Sequence, residues 1–299
     1  MNPTVKNYGN FESESILGVR VDKVEKVRVF DILKNLLKED KKFFLTTVNP
    51  EFIIEALKNK KFKKILNFSD LNFIDGIGII WAIKFIKLQV KDYKYLSRTK
   101  RARRRKFIIY WQAFYTLLAV IFYPRFLKRN IADKITGVFL IEKLAQVSQG
   151  NRHSIFILGG RQGVADRAKH ELEKKFPATL ISSTMTGFLN QNQSDKNWIK
   201  AINDSGADIL IVALGSPKQE KWIFNNYDKL KNVRIAVGVG GAIDFIAKSK
   251  RRAPLWVRKL GLEWLFRLII EPRRFPRIRK ATYYFIKKVI GEKIKHYYI

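Results

Sequence analysis

The chain has 299 residues, 46% of them hydrophobic, enough for one large domain with a full core or one domain plus a small appendage. It has no Cys, which excludes disulfides and thiolate metal sites, and its three His (His153, His170, His296) lack the spacing of a zinc site. Fifty-nine Lys and Arg against 26 Asp and Glu give a net charge of +33, which implies a polyanionic partner: nucleic acid, an anionic bilayer or a phosphorylated substrate.

Part of that excess is scattered lysine, as in "ALKNKKFKKIL", but residues 100–106 and the stretch from Lys248 onward are clusters. The first residues, "MNPTVKNYGNFESESILGVRVD", are too polar and acidic for a signal peptide. From there short apolar runs alternate with helical patterns. "KFFLTTVN" predicts a strand and "PEFIIEALKNK" a helix, with Pro50 suited to the first helical turn. "LNFIDG" is a second strand and "IGIIWAIKFI" its helix. Beyond a long basic and apolar stretch come "SIFILGG" with "GVADRAKHELEKKF", "ATLISSTMTG" with "SDKNWIKAINDSG", and "ADILIVALG" with "PKQEKWIFNNYDKL", where Pro217 marks a helix start. "VRIAVGVGG" is the last strand.

Such alternation predicts an α/β fold: a Rossmann-like, mostly parallel sheet with helices on both faces, over residues 1–250. Residues 251–299 then form a basic C-terminal helical appendage, and residues 86–131 an apolar and basic insertion. Ligands of such folds bind at the carboxyl ends of the strands. A nicotinamide cofactor is not expected there. Gly159, Gly160 and Gly163 in "GGRQG" do not match G-x-G-x-x-G, and the next strand lacks a terminal acid for a ribose. Those glycines either cradle a phosphate or make a plain tight turn into a helix.

Five blocks occur in order: "TTVNPEF" (46–52), "DGIGI" (75–79), "ALGSPKQEKWI" (213–223), "VGVGGAIDF" (237–245) and "RAPLWVRKLGLEWLFRLIIEPRRFPR" (252–277). In that set the sequence resembles the WecG/TagA/CpsF family of bacterial glycosyltransferases, from about Leu45 to Arg279. The resemblance implies an enzyme of cell-surface polysaccharide or teichoic acid synthesis. It would move a sugar (an N-acetylmannosamine type, its uronic acid, or a hexose) from a UDP-sugar to a polyprenyl-diphosphate-linked sugar. The transfer is expected to proceed with inversion and without a metal or other cofactor, at the cytoplasmic face of the cell membrane.

Such a transfer needs a base for the acceptor hydroxyl. Asp75 follows an apolar strand and precedes glycine, which places it at the carboxyl edge of the sheet; the competing use is an N-cap of the next helix. The resemblance also makes Asp75 the base, with Thr47 and Asn49 positioning substrate. The departing diphosphate needs cations, and the chain has no D-x-D to hold a metal. Arg267, Arg274 and Arg277 stand where the family carries functional arginines, and a solvated basic surface is the alternative for each. Lys218, Gln219 and Asp244 fall in the motifs expected to line the donor pocket, Asp244 toward ribose or uracil. Glu263 is expected to orient an Arg. One departure from the family is Phe139 in "TGVFL" (136–140), where relatives commonly carry an acid; another is the insertion itself.

Within that insertion, residues 107–123 carry no charge and both flanks are basic. As a helix the seventeen residues reach about 26 Å, short of a hydrocarbon core of about 30 Å. A crossing would also put Asp75 and Arg267 on opposite sides of the membrane. The stretch is therefore expected not to span, and either dips into an anionic membrane surface or packs as a buried helix or homo-oligomer contact. Near the end, Tyr283, Ile286, Ile290, Ile294 and Tyr297 form one stripe of a basic helix, which lies on anionic lipid or docks on the fold. A non-enzymatic nucleic-acid-binding protein is favoured by charge alone. No nucleic-acid motif supports it, so no nucleic-acid partner is expected.

Overall fold

The structure is a computed structural model that describes residues 11–90, 97–123, 133–151, 153–186, 191–259 and 262–297. It opens with a hairpin the sequence reading did not anticipate, β1 (Ser13–Ile16) and β2 (Val19–Asp22). Leu17 and Gly18 between them take φ of 54° and 78°, the mirror-image turn that matches strand twist. With Leu in place of the usual Asn or Asp, the turn leaves little trace in the sequence.

After α1 (Val29–Lys38) come β3 (Phe43–Val48), α2 (Pro50–Lys58), α3 (Lys60–Phe68), β4 (Leu71–Ile74) and α4 (Ile77–Lys87). The insertion contains the 25-residue α5 (Arg98–Phe122). The chain then resumes strand–helix alternation: α6 (Gly137–Asn151), β5 (Ser154–Gly159), α7 (Val164–Lys175), β6 (Leu180–Met185), α8 (Gln191–Asp204), β7 (Ile209–Ala213), α9 (Lys218–Asn226), β8 (Ile235–Gly238) and α10 (Ala242–Ile246). The appendage adds α11 (Leu255–Lys259), α12 (Glu263–Ile270), α13 (Phe275–Arg279), a single π turn at Lys280–Tyr284 and α14 (Phe285–His296).

All six expected strands form, in one eight-stranded sheet of order β1-β2-β4-β3-β8-β7-β5-β6. Only the β1–β2 pair is antiparallel. Side chains alternate between the two faces. Phe43, Leu45, Ile155, Ile157, Ile209, Ile211, Ile235 and Val237 meet α1, α6, α7 and α10 on one face. Phe44, Phe156, Leu210, Val212 and Ala236 meet α3, α8 and α9 on the other. A further cluster around Trp81, Phe85, Ile109, Phe285 and Val289 joins α4, α5 and α14.

That cluster bears on the two open questions about the C-terminal stripe and α5. Of the two uses considered for the C-terminal stripe, docking is the one the structure shows. Phe285, Val289 and Lys293 are buried and Ile286, Ile290, Ile294 and Tyr297 of the stripe pack against the same core, while the stripe's first member, Tyr283, is exposed. The buried Lys293 donates to Phe85 O at 2.5 Å and to Gln112 Oε1 at 2.7 Å, pinning α14 to both α4 and α5. As for α5, no helix among the described residues is long and apolar enough to cross a membrane. One side of α5 is buried, and Trp81 Nε1 donates to its Thr116 Oγ1 at 3.0 Å.

Candidate active site

Seven strands, β2 to β8, run parallel, so the residues that follow β4, β3, β8 and β7 share one edge. Along that rim stand, in spatial order, Asp75 after β4, Thr47 and Asn49 at the end of β3, Asp244 after β8, and Lys218 with Gln219 after β7. Asp75 N–H donates to Val48 O at 2.8 Å, fixing it beside Asn49. Thr47 and Asp75 continue the alternation of Leu45 and Phe73, so both project to the face that α6 and α10 cover.

The cap alternative for Asp75 is not what the structure shows. Gly76, at φ 111°, precedes α4, and no side chain caps that helix. Among the described residues the Asp75 carboxylate has no hydrogen-bond partner, and burial holds its pKa above the ordinary value. Glu263 pushes the same way, while Lys134, Arg267 and Arg252 pull against it. Asn49 does cap: its Oδ1 accepts from Phe52 N at 3.1 Å, with Pro50 in the first turn of α2. Its side-chain oxygen thus serves the helix.

Lys134 reaches Asp75 because the segment before α6 lies along β4, where Ile135 N–H donates to Ile74 O at 2.8 Å. Gly137, at the start of α6, lets that helix press against α10, since a Cβ there would stand 2.9 Å from the Ala242 side chain. Lys134 Nζ lies 3.2 Å from Glu263 Oε2, and Arg267 Nη2 lies 2.9 Å from Glu263 Oε1. Burial alone would raise the Glu263 pKa, but the two cations outweigh it and hold the carboxyl at about 2. Arg267 also stacks over the Phe245 ring at 4.7 Å, which joins α12 to α10. The expected partnership of Glu263 with an arginine is thus present in the geometry.

Arg252 and Arg258 were not singled out from the sequence, although both lie in the quoted C-terminal block. Burial, with Arg258 and Arg267 nearby, depresses the Arg252 pKa. The Nε atoms of Arg252, Arg258 and Arg267 are all buried without a hydrogen-bond partner among the described residues. Three shielded, unpaired guanidinium nitrogens next to a raised carboxylate suit an anionic ligand.

Gln219 works inside the wall. It is buried, and its Oε1 accepts from Gly215 N at 3.1 Å and Gly240 N at 2.9 Å, tying the loop after β7 to the loop after β8. Its Nε2 donates to Glu220 Oε1 at 2.6 Å, which fixes the amide with oxygen toward both loops. Burial pushes the Glu220 carboxyl up to about 7. Lys218 is exposed at the start of α9, and Asp244 lies in the first turn of α10.

Arg274 and Arg277 stand apart from the Asp75 cluster. Arg274 pairs with Glu271, and Arg277 Nε lies 2.8 Å from Glu51 Oε1 in the first turn of α2, two residues from Asn49. Phe139, where the family commonly has an acid, lies under Lys26 and Lys143 at 5.6 and 5.7 Å from its ring.

Asp75, its pKa raised, thus lies with the charges of Arg252 and Arg267 at the carboxyl edge of a parallel sheet, the edge at which such folds hold ligands. The chain belongs to the glycosyl transferase WecG/TagA/CpsF family, whose model matches residues 14–99 and 118–298, and it is a glycosyltransferase. Among similar proteins are those of Staphylococcus aureus strains MRSA252, NCTC 8325 and MW2, each named N-acetylglucosaminyldiphosphoundecaprenol N-acetyl-beta-D-mannosaminyltransferase. Each is 23% identical over 286 residues, covering 95% of this chain and 95% of its own length. The unmatched stretch, residues 100–117, is narrower than the insertion expected at 86–131.

Proposed function

We propose that the chain transfers N-acetylmannosamine from its UDP-sugar to a polyprenyl-diphosphate-linked N-acetylglucosamine, with inversion and without a metal, at the cytoplasmic face of the membrane. The observation that carries the reading is that the charges of Arg267 and Arg252 act on Asp75 while their Nε atoms are buried without a hydrogen-bond partner among the described residues. The names of the Staphylococcus relatives supply the sugar and the lipid-linked acceptor.

Asp75 takes the proton of the acceptor hydroxyl as that oxygen attacks the anomeric carbon of the donor. The bond from that carbon to the diphosphate oxygen breaks, and single displacement inverts the centre. A raised pKa makes Asp75 a stronger base than a solvated carboxylate. Thr47 and Asn49, on the neighbouring strand end, position the sugar. Arg267 and Arg252 take up charge on the leaving diphosphate, and Arg274 and Arg277, paired with Glu271 and Glu51 outside that cluster, add positive charge from the appendage. Lys218 contributes a further cation, and Asp244 accepts from ribose or uracil. Gln219 holds the two loops on which those groups ride.

The test is direct. The purified chain is incubated with UDP-N-acetylmannosamine and a lipid-diphosphate N-acetylglucosamine, and the product is read by mass spectrometry and its anomeric configuration by NMR. A β-linked disaccharide lipid supports the proposal; no transfer from this donor, with transfer from another UDP-sugar, overturns the sugar assignment. UDP, and not an oligonucleotide, should raise the melting temperature.

A further inference from the structure

We infer that the outer face of α5 is a docking surface for an anionic bilayer, with its basic turns and its aromatic stripe seated together in the headgroup layer. At about 100° per residue, Phe107, Tyr110, Trp111, Phe114, Leu118 and Phe122 fall in one sector about 120° wide. All six are exposed, Phe107 by 68% and Phe122 by 79%. The opposite side holds Ile109 and Ala113 with two polar residues, Gln112 and Thr116, that are buried. Gln112 Nε2 donates to Gln89 O at 2.8 Å, and Thr116 accepts from Trp81. The polarity of this helix is therefore inverted relative to one facing water: amide and hydroxyl point inward, aromatic rings outward.

The same sector continues toward the N-terminus of α5 as Lys100, Arg103 and Arg104, all exposed. Residues 97–123 contain no Asp or Glu. A cationic end followed by a stripe of Trp, Tyr and Phe is the chemistry of a helix lying in the interface of an anionic membrane. The stripe from Phe107 to Phe122 is about 22 Å long, which suits a helix in the membrane plane.

A second copy of the chain is the weaker occupant. Parallel self-association through this face would bring two cationic ends together, and in either orientation neither helix carries an acid to pair with the partner's cations, whereas an anionic bilayer supplies that charge along the whole face. Residues 100–117, which hold the cationic turns and four of the six stripe residues, also lie outside the stretches that the family model matches. With the stripe of α14 covered by the core, α5 presents the apolar face that the C-terminal helix does not. The inference deepens the reading of a lipid-linked acceptor, but vesicle binding needs neither substrate nor turnover, so the two can fail separately.

The experiment is co-sedimentation of the full chain with phosphatidylcholine vesicles, with and without phosphatidylglycerol, across a salt series. The wild type should bind the anionic vesicles and keep a salt-resistant fraction. The triple variant Trp111→Ser, Phe114→Ser, Phe122→Ser should lose about tenfold or more in binding, including that fraction, while its melting temperature is kept because all three side chains are exposed. Lys100→Gln, Arg103→Gln and Arg104→Gln together should lower binding to anionic vesicles by about fivefold per cation and leave neutral vesicles unaffected. Wild-type-like vesicle binding by the aromatic variant overturns the inference. So does a dimer that dissociates in that variant while vesicle binding persists, or loss of oligonucleotide binding alone.

Discussion

Lys134 and Glu263 meet at 3.2 Å across 129 residues of sequence, joining the segment after the insertion to the C-terminal appendage. With Arg267 on the other carboxylate oxygen, the contact builds one wall of the site from two distant parts of the chain.

That contact gives the first prediction. The Glu263 carboxyl titrates at about 2 when folded, against an ordinary 4.5, so its stabilisation is fully present above pH 4.5 and is lost as pH falls toward 2. Urea melts between about pH 6 and pH 3 should show stability falling with acidity. Lys134→Met should lower stability by about 2 kcal/mol at neutral pH, because Lys134 is partly exposed, and should flatten the acid dependence.

The clamp made by Gln219 gives the second. A Cβ at Gly238 would stand 2.7 Å from Gln219 Nε2 and 2.8 Å from a Glu220 oxygen. Gly238→Ala should therefore cost about 1–3 kcal/mol and raise the KM for the sugar nucleotide, as the loops after β7 and β8 lose their common tie. A variant with wild-type stability and KM would show that the clamp is not needed.

The third concerns Lys293, whose burial pulls its pKa to about 8 from 10.5. The unfolded chain binds the proton more tightly, so the penalty of the buried charge is constant below pH 8 and is relieved as pH rises from 8 toward 10.5. Stability should rise over that window, and Lys293→Met should abolish the rise. Chemical denaturation at stepped alkaline pH measures it.

The fourth concerns cations. If the arginines and Lys218 carry the diphosphate charge, transfer should continue after exhaustive chelation with EDTA. A strict requirement for added Mg²⁺ or Mn²⁺ would contradict that role.

The parallel sheet was legible because each central strand is a continuous apolar run between turn residues, and the carboxyl-edge residues followed from it. The β1–β2 hairpin was not, since its turn uses Leu17 in a conformation that seldom selects Leu. Asp75 was legible from its place after an apolar strand. Lys134 was not, because its approach depends on a backbone bond from Ile135 to Ile74 that no local pattern encodes. Gln219 was found by motif, but its position inside the wall depends on two loops meeting, which only the tertiary structure shows. The C-terminal stripe had two readings because the periodicity of a docked helix and of a lipid-facing helix is the same.

The most direct test of the account is the Asp75→Asn variant in single-turnover transfer, with UDP affinity measured alongside. The exchange keeps the shape and removes the base. The account predicts chemistry slowed by about 10²-fold or more, with UDP binding and melting temperature unchanged. Its pH profile is also informative: the acidic limb of the wild type should lie above the ordinary Asp value of 3.8, because burial raises the Asp75 pKa. Transfer by Asp75→Asn within a few-fold of wild type would contradict the account and remove Asp75 from the reaction.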